Sequence, residues 1–540
     1  MAPPVAADPS RPLHEDPEIH ARRWILLGVM CLSLVMVVMS VSGLNVAIPN
    51  MQRELGATAT ELQWIIDAYA IVFAGLLLTA GALGDRFGRK GALLVGLVIF
   101  ALGSAISGLA DEPVQVIIGR GVSGIGAAFV MPATLSLISA VFPPNERAKA
   151  IALWAGFAGA GGAIGPIISG ALLEGFWWGS ALLVNIPVVA LTIAAVAVYS
   201  PRSRDDDATP LDPVGAVLSL VGLAALLFGI IEGPERGWGD GLVLAGFVVA
   251  IVTLTGFVVW QARTRFPMLP LQFFKDGRFT MGSVVITVAF FSMFGFFFLF
   301  TQFLQFGRGY SPLDAGLATL PFALAMVVFA PRSAGWAERF GRTPVLTAGF
   351  AATAAGFAIL AVANLGTSYL ILTISLILLG AGMALTAAPS TGAIMDSVPM
   401  SKAGVGSAIN DTTRELGGAL GIAVLGSIAT SAYRNEISLD GLGLDAESAE
   451  LASESVGQAQ GVVATAGASG AEVASRAADA FGGAYNTVMF VATIIAGLCG
   501  VGVAIFGRRA EAAVTDNALS ASERAVLADN ARKVAAEGPS

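Results

Sequence analysis

Charge is scarce in this chain. Of 540 residues only 13% are charged, against 55% hydrophobic, and the mean hydropathy is +0.77. Soluble domains carry about a quarter charged residues, so an ordinary soluble protein is excluded. Histidine is almost missing: His14 and His20 are the only two, and both precede the first long apolar run. Proton chemistry inside the apolar part must then use carboxylates, because no imidazole is available there. Cysteine is equally rare. Cys31 and Cys499 both fall within apolar runs, which leaves no disulfide framework and no thiolate metal site. There is no phosphate-binding loop, metal-ligand cluster or nucleophile triad. The chain therefore reads as no enzyme, with no catalytic residue, cofactor, metal or nucleic-acid partner.

What is present is apolar sequence in runs of about 20 residues, the length a helix needs to cross a bilayer. A window of about 19 residues predicts about fourteen spans. Their limits are 24–48, 62–83, 91–110, 114–137, 149–173, 179–199, 212–231, 240–261, 280–304, 313–335, 343–363, 368–394, 404–432 and 484–507. Residues 1–23 form a polar, Pro-rich tail without the basic start and cleavage site of a signal peptide, so the span from Trp24 reads as an uncleaved anchor. With the N-terminus in the cytoplasm, eighteen Lys and Arg fall in cytoplasmic segments. Five fall outside: Arg53, Arg236, Arg308, Arg434 and Arg476. That bias places both termini in the cytoplasm of a multi-pass inner-membrane protein.

The two halves repeat. Gly84-Asp85-Arg86-Phe87-Gly88-Arg89-Lys90 returns, degraded, as Glu338-Arg339-Phe340-Gly341-Arg342, with Arg86 mapping to Arg339. Gly124, Gly126, Gly161, Gly165 and Gly170 map to Gly380, Gly382, Gly417, Gly421 and Gly426. Internal repeats of this kind mark secondary transporters, whose substrate sites lie near the midplane between the repeats. The expected architecture is all-α and integral to the membrane. A six-helix lobe spans 24–200, a solvated linker 201–211, two inserted helices 212–262, and a second six-helix lobe 263–507 with a long outer segment 434–483. A cytoplasmic tail follows over 508–540.

Five stretches make the resemblance specific. Gly81-x-x-x-Asp85-Arg86-Phe87-Gly88-Arg89-Lys90 resembles the loop-two signature of the major facilitator superfamily. Arg120-Gly-x-x-Gly124-x-Gly126-Ala-Ala resembles its fourth-span motif, and Gly161-x-x-x-Gly165-Pro166-x-x-Ser169-Gly170 its span-five antiporter motif. Leu62-Gln63-Trp64-Ile65-Ile66-Asp67-Ala68-Tyr69 and Asn410-Asp411-x-x-Arg414-Glu415-x-Gly417 complete a likeness to the fourteen-span drug:proton antiporters, the QacA-like exporters, over about 20–510.

The resemblance implies a latch at Gly81, Asp85, Arg86, Gly88 and Arg89, echoed by Arg339, Gly341 and Arg342, that joins the lobes and opens during transport. The residues alone permit a blander reading, a basic anchor on a tight turn. In span five, Gly161, Gly165 and Gly170 let helices approach closely and Pro166 can kink the span. The family ties this motif to export; plain tight packing is the alternative.

Charges inside a membrane are costly and usually functional. Asp67 and Arg120 lie about five and six residues inside the outer ends of their spans, hence at similar depth, about 8–10 Å below the boundary. Poor solvation favours a neutral acid, and a nearby guanidinium favours the charged one. That tension suits a group that loads and releases protons, although a static ion pair between spans two and four would look the same. Asp411 and Arg414, at i,i+3, share a helix face, which leaves Glu415 less balanced. A transport role and a structural pair both stay open there. The family commonly has an acid in span one where this chain has Ser40, which suggests fewer coupled protons or a preference away from dications. The eight phenylalanines of span nine, from Phe290 to Phe303, read mainly as packed against lipid and neighbours, with lining of a greasy cavity that stacks on aromatic cargo as the alternative.

The expected function is proton-coupled export of hydrophobic or monocationic compounds by alternating access, with the proton gradient as the only energy source. The alternative is a dedicated exporter of one metabolite, lipid or self-made antibiotic. A small-molecule substrate, protons and membrane lipid are the expected partners, and a monomer suffices.

Overall fold

The computed structural model describes residues 13–203, 211–398, 403–463 and 466–536. Lipid offers the backbone no hydrogen-bond partners, so a spanning chain of this composition must satisfy each segment internally. Among the described residues there are helices and no strands. The first lobe is built from α1 (Pro17–Ser42), α2 (Leu44–Leu55), α3 (Ala59–Phe87), α4 (Arg89–Gly108), α5 (Pro113–Val141), α6 (Pro144–Leu173), α7 (Ser180–Leu183) and α8 (Asn185–Tyr199). The inserted pair is α9 (Pro213–Arg236) and α10 (Gly241–Arg263). The second lobe holds α11 (Gly277–Gln302), α12 (Pro312–Leu317), α13 (Leu320–Phe340), α14 (Arg342–Ala361), α15 (Tyr369–Asp396) and α16 (Ala403–Glu436). Two short helices, α17 (Ala446–Glu454) and α18 (Val456–Val463), precede the last, α19 (Gly470–Ala536). Among the described residues, thirteen helical segments are long and apolar enough to cross a membrane. The remaining expected span, 149–173, falls in α6, whose Ile164–Leu173 end is apolar.

Local chemistry sets several boundaries. Thr58 and Glu61 form a reciprocal capping box that starts α3. Asp212 caps α9 and accepts hydrogen bonds from Trp260 Nε1 and Gln261 Nε2, both at 2.7 Å, which clamps the base of the α9–α10 hairpin. Gly88 and Gly341 begin α4 and α14 at φ 119° and 89°, a region other residues resist, so the same turn recurs in both halves.

The repeat is visible in the packing. A Cβ on Gly124 would lie 2.6 Å from the Tyr69 carbonyl oxygen; on Gly380 it would collide with that of Phe322. Gly126 packs on Gly96 and Phe100, and Gly382 on Gly349 and Thr353. Gly161 and Gly165 of α6 pack on α1, and Gly417 and Gly421 of α16 pack on α11. Gly170 then meets Pro312 and Leu313 in the second lobe, as Gly426 meets Gln63 in the first. Each contact of one lobe has its counterpart in the other, the pattern of a pseudo-twofold pair.

One expectation needs adjustment. The phenylalanines of α11 mostly do not face lipid: Phe290, Phe296, Phe298, Phe300 and Phe303 are buried, and Phe291, Phe294 and Phe297 half-buried. The helix is apolar all round because α15, α16, α19 and α2 surround it. The outer segment 434–483 is largely helical, and the last helix continues past residue 509 to Ala536.

The lobes are tied together at one end. Thr301 Oγ1 donates to the Asn45 carbonyl at 2.8 Å, and Gln305 Nε2 to that of Val46 at 2.9 Å. The outer segment adds Gln52 Nε2 to Ser455 Oγ and Gln458 Nε2 to the Gly56 carbonyl, both at 2.7 Å. At the opposite end the described ion pairs, Arg23–Glu146, Arg89–Asp85, Arg278–Asp276 and Arg342–Asp396, each join residues of a single lobe.

Candidate substrate and ion site

Arg120 is brought to the centre of the first lobe by α5 and is 1% exposed. Its Nε donates to the Ile65 carbonyl at 3.2 Å, its Nη1 to Ser40 Oγ at 3.3 Å, and its guanidinium lies over the Tyr69 ring at 4.4 Å. Ser40, in the place of the family's acid, therefore supplies a neutral acceptor to the buried cation. Arg120 Nη2 and Tyr69 Oη, both enclosed, have no hydrogen-bond partner.

Asp67 is not part of that group. Its side chain is wholly buried, and neither carboxylate oxygen has a hydrogen-bond partner. Helix phase explains the separation. Ile65 and Tyr69, four apart, share the face of α3 that meets Arg120, and Asp67, two residues from each, points roughly 160–200° away. Its own face carries Trp64, Ala70 and Ile71, which pack with Leu227 and Ile231 of α9 and with Ala419 and Ala423 of α16. The expected proximity of Asp67 and Arg120 is thus corrected: similar depth, adjacent spans, opposite faces.

On α16 the expected pair forms. Arg414 Nη1 lies 3.5 Å from Asp411 Oδ1, and its guanidinium stacks over Phe290 at 4.6 Å. Asn410 Nδ2 donates to Asp411 Oδ1 at 3.4 Å, and Asn410 Oδ1 accepts from Thr391 Oγ1 at 3.2 Å, which ties the stretch carrying the acid to α15. Glu415 is half-buried and lies within electrostatic reach of Arg120 of the other lobe. The structure thus brings Arg120 and Glu415 across the lobe interface and leaves Asp67 alone in a three-helix junction.

The loop-two residues are satisfied inside their own lobe. Arg89 Nε pairs with Asp85 at 2.7 Å, and its Nη1 reaches Ser203 Oγ at 3.1 Å. Lys90 Nζ donates to the carbonyls of Ala197 and Ser200 at the end of α8, where a helix favours a cation. Arg86 and Arg339 lie over the rings of Phe87 and Phe340. Arg342 pairs with Asp396, not with Glu338, its counterpart of Asp85. In this conformation the latch residues do not bridge the lobes. Gly81 packs against Pro132 of α5, and Pro166 against Gly316 of α12.

Three participants escaped the sequence reading: the Ile65 carbonyl, Tyr69 as a platform for Arg120, and Glu232. Glu232 accepts from Trp64 Nε1 at 3.1 Å and pairs with Arg236 at 2.6 Å, which pins α9 to α3. The phase of Ile65, Asp67 and Tyr69 was available as a signal. The position of α9 was not.

Residues 30–422 match the family model described as Major Facilitator Superfamily. The multidrug efflux pump LfrA of Mycolicibacterium smegmatis is 34% identical over 89% of this chain and 96% of its own length. The methyl viologen resistance protein SmvA of Salmonella typhimurium is 34% identical over 81% and 88%, and the tetracenomycin C resistance and export protein of Streptomyces glaucescens 32% over 76% and 77%. Among solved structures, a bacterial homologue of the human lysosomal transporter Spinster, inward-facing and unoccupied, superposes with a TM-score of 0.65 at 16% identity. The match covers 92% of this chain and 99% of that one, a likeness of fold alone. With the repeat packing and the enclosed charges, these matches establish that the chain is a multi-pass membrane transporter, and that it belongs to the Major Facilitator Superfamily.

Proposed function

We propose that this chain exports hydrophobic or singly charged drug-like compounds across the cytoplasmic membrane in exchange for protons. The observation that carries the reading is Asp67: fully enclosed, with neither carboxylate oxygen partnered. A charged acid without partners is expensive to keep out of water, so this junction accommodates the neutral, proton-bearing form. Glu415 and Arg120 lie within electrostatic reach of each other across the lobe interface, so a cation entering there would be drawn to an acidic side chain. The closure at the Gln52 end, with the described ion pairs of the Arg86 end lying within single lobes, supports an alternating-access cycle caught open toward the Arg86 side. The excess of Lys and Arg supports assigning that side, and both termini, to the cytoplasm. One chain holds every group invoked, so a monomer is the working unit.

Two relatives bear on cargo. SmvA's name attaches to methyl viologen, a dication, so a test panel must contain dications. The tetracenomycin C exporter favours a second reading, a dedicated exporter of one antibiotic or metabolite. Everted vesicles challenged with mono- and dicationic dyes, with and without a pH gradient, test both. The main reading expects gradient-dependent export of several monocations. Export without a gradient overturns the coupling, and export of one compound alone favours the second reading.

A further inference from the structure

The two inserted helices have no counterpart in the six-helix repeat, and the mechanism above gives them nothing to do. Their placement is specific. Helix α10 faces outward with most of its residues exposed, whereas α9 lies in the crevice between the lobes and packs on both α3 and α16. On the first lobe it is fixed by Trp64 to Glu232. On the second, Ser427 Oγ donates to the Ile230 carbonyl at 2.8 Å and Arg434 Nη1 to that of Pro234 at 3.1 Å.

Register places α9 over Asp67. Helices α3 and α9 run antiparallel, with Trp64 at Glu232 and Gly75 against Leu220. Asp67, three residues beyond Trp64, comes level with Phe228 and Gly229, with Leu227 and Ile231 within about two residues on either side. On the other side Gln63 meets Gly426, so Asp67 comes level with Ile422 and Ala423. Leu227, Ile231, Ala419 and Ala423 are all buried around the face that carries the acid. Beyond them the α9–α16 junction opens into a mostly apolar cavity of about 430 Å³, lined by Ile230, Val424 and Ser427 among others. The charged groups nearest on these elements are Glu232 of α9, engaged with Trp64 and Arg236, and Glu415 and Arg414 of α16.

We propose that α9 is the seal of the coupling chamber, and that Leu227 and Ile231 are positioning residues that keep Asp67 out of contact with water and lipid until the lobes move. Without that wall the acid would face the crevice directly and could exchange protons without cargo. The inference rests on the assignment of Asp67 as the coupling acid.

The test uses the full chain in proteoliposomes with two readouts. The first is modification of Asp67 by a water-soluble carbodiimide with an amine, mapped by peptide mass. The second is collapse of an imposed pH gradient without dye. The unchanged protein and Ile251→Thr, on the outer face of α10, are expected to protect Asp67 and hold the gradient. Leu227→Ser with Ile231→Ser is expected to expose Asp67 and speed collapse at least fivefold, and adding Asp67→Asn is expected to abolish the leak. If the double variant does not fold, Leu227→Ala alone is read by modification. Ready modification of Asp67 in the unchanged protein overturns the seal. So does a folded variant with no added modification, or a leak that survives Asp67→Asn. Should Asp67→Asn leave dye-driven exchange intact, the coupling assignment fails, while the modification result still decides whether α9 shields the site.

Discussion

In the first lobe Arg120 and Asp67 are buried on neighbouring helices yet turn away from each other, whereas in the second Arg414 and Asp411 sit on one helix and pair at 3.5 Å. The helix packing of the lobes is nearly the same, glycine for glycine. The difference lies in how charge is neutralised. Arg120 has a hydroxyl, a carbonyl and an aromatic face but no acid in contact, and Asp67 has no partner. Arg414 and Asp411 share their charge at a partly solvated position, where such pairs contribute little to stability. A duplicated scaffold has kept its packing in both copies while handling its enclosed charges differently in each.

The largest expected effect comes from removing the unpaired acid. Asp67→Asn keeps the size of the side chain and leaves no partner stranded, so the protein should fold, elute and melt like the parent. Dye export driven by a pH gradient should fall to the level of empty vesicles. Arg120→Ala comes next, with damage to stability as well as transport. It leaves the buried Ser40 hydroxyl without its donor and removes the stack on Tyr69, at about 1–3 kcal/mol for a buried group left unmet. Thermal unfolding in detergent checks this, and Arg120→Lys should rescue stability in part, since it keeps the charge but loses the planar fork.

The packing half of the comparison is tested by Gly124→Ala and Gly380→Ala. Both place a methyl against a backbone carbonyl, so both should destabilise, by about 1–3 kcal/mol and by similar amounts. A loss confined to one lobe would break the equivalence. The smallest effect on stability belongs to Arg414→Gln, about 1 kcal/mol for a pair that is partly solvated on the arginine side. Ser40→Asp sharpens the contrast from the other direction. It puts an acid beside Arg120, and export of a dication relative to a monocation is expected to rise severalfold in vesicles.

Much of the architecture was legible in the chain. Spans announce themselves because lipid demands about 20 apolar residues each. The repeat was visible because close helix approach needs glycine at fixed spacing, and those glycines make matched contacts. Positive φ at both Gly88 and Gly341 accounts for the turn recurring in each half. The pairing of Asp411 with Arg414 followed from their i,i+3 spacing. What failed was contact between helices. Equal depth suggested that Asp67 and Arg120 meet, but depth fixes only one coordinate, and rotation about α3 sends them to different neighbours. The phenylalanines of α11 were assigned to lipid because an all-apolar helix looks alike whether lipid or protein surrounds it. The place of α9 between the lobes depends on contacts of Trp64, Glu232 and Ser427 that are far apart in sequence and carry no local pattern.

The central claim is that cargo and a proton exclude each other through Asp67. Purified protein in weakly buffered detergent solution, titrated with a monocationic dye while pH is recorded, tests it most directly. The account predicts proton release that saturates with dye binding in the parent chain and is absent in Asp67→Asn. Dye binding without proton release in the parent, or equal release from both proteins, would contradict it.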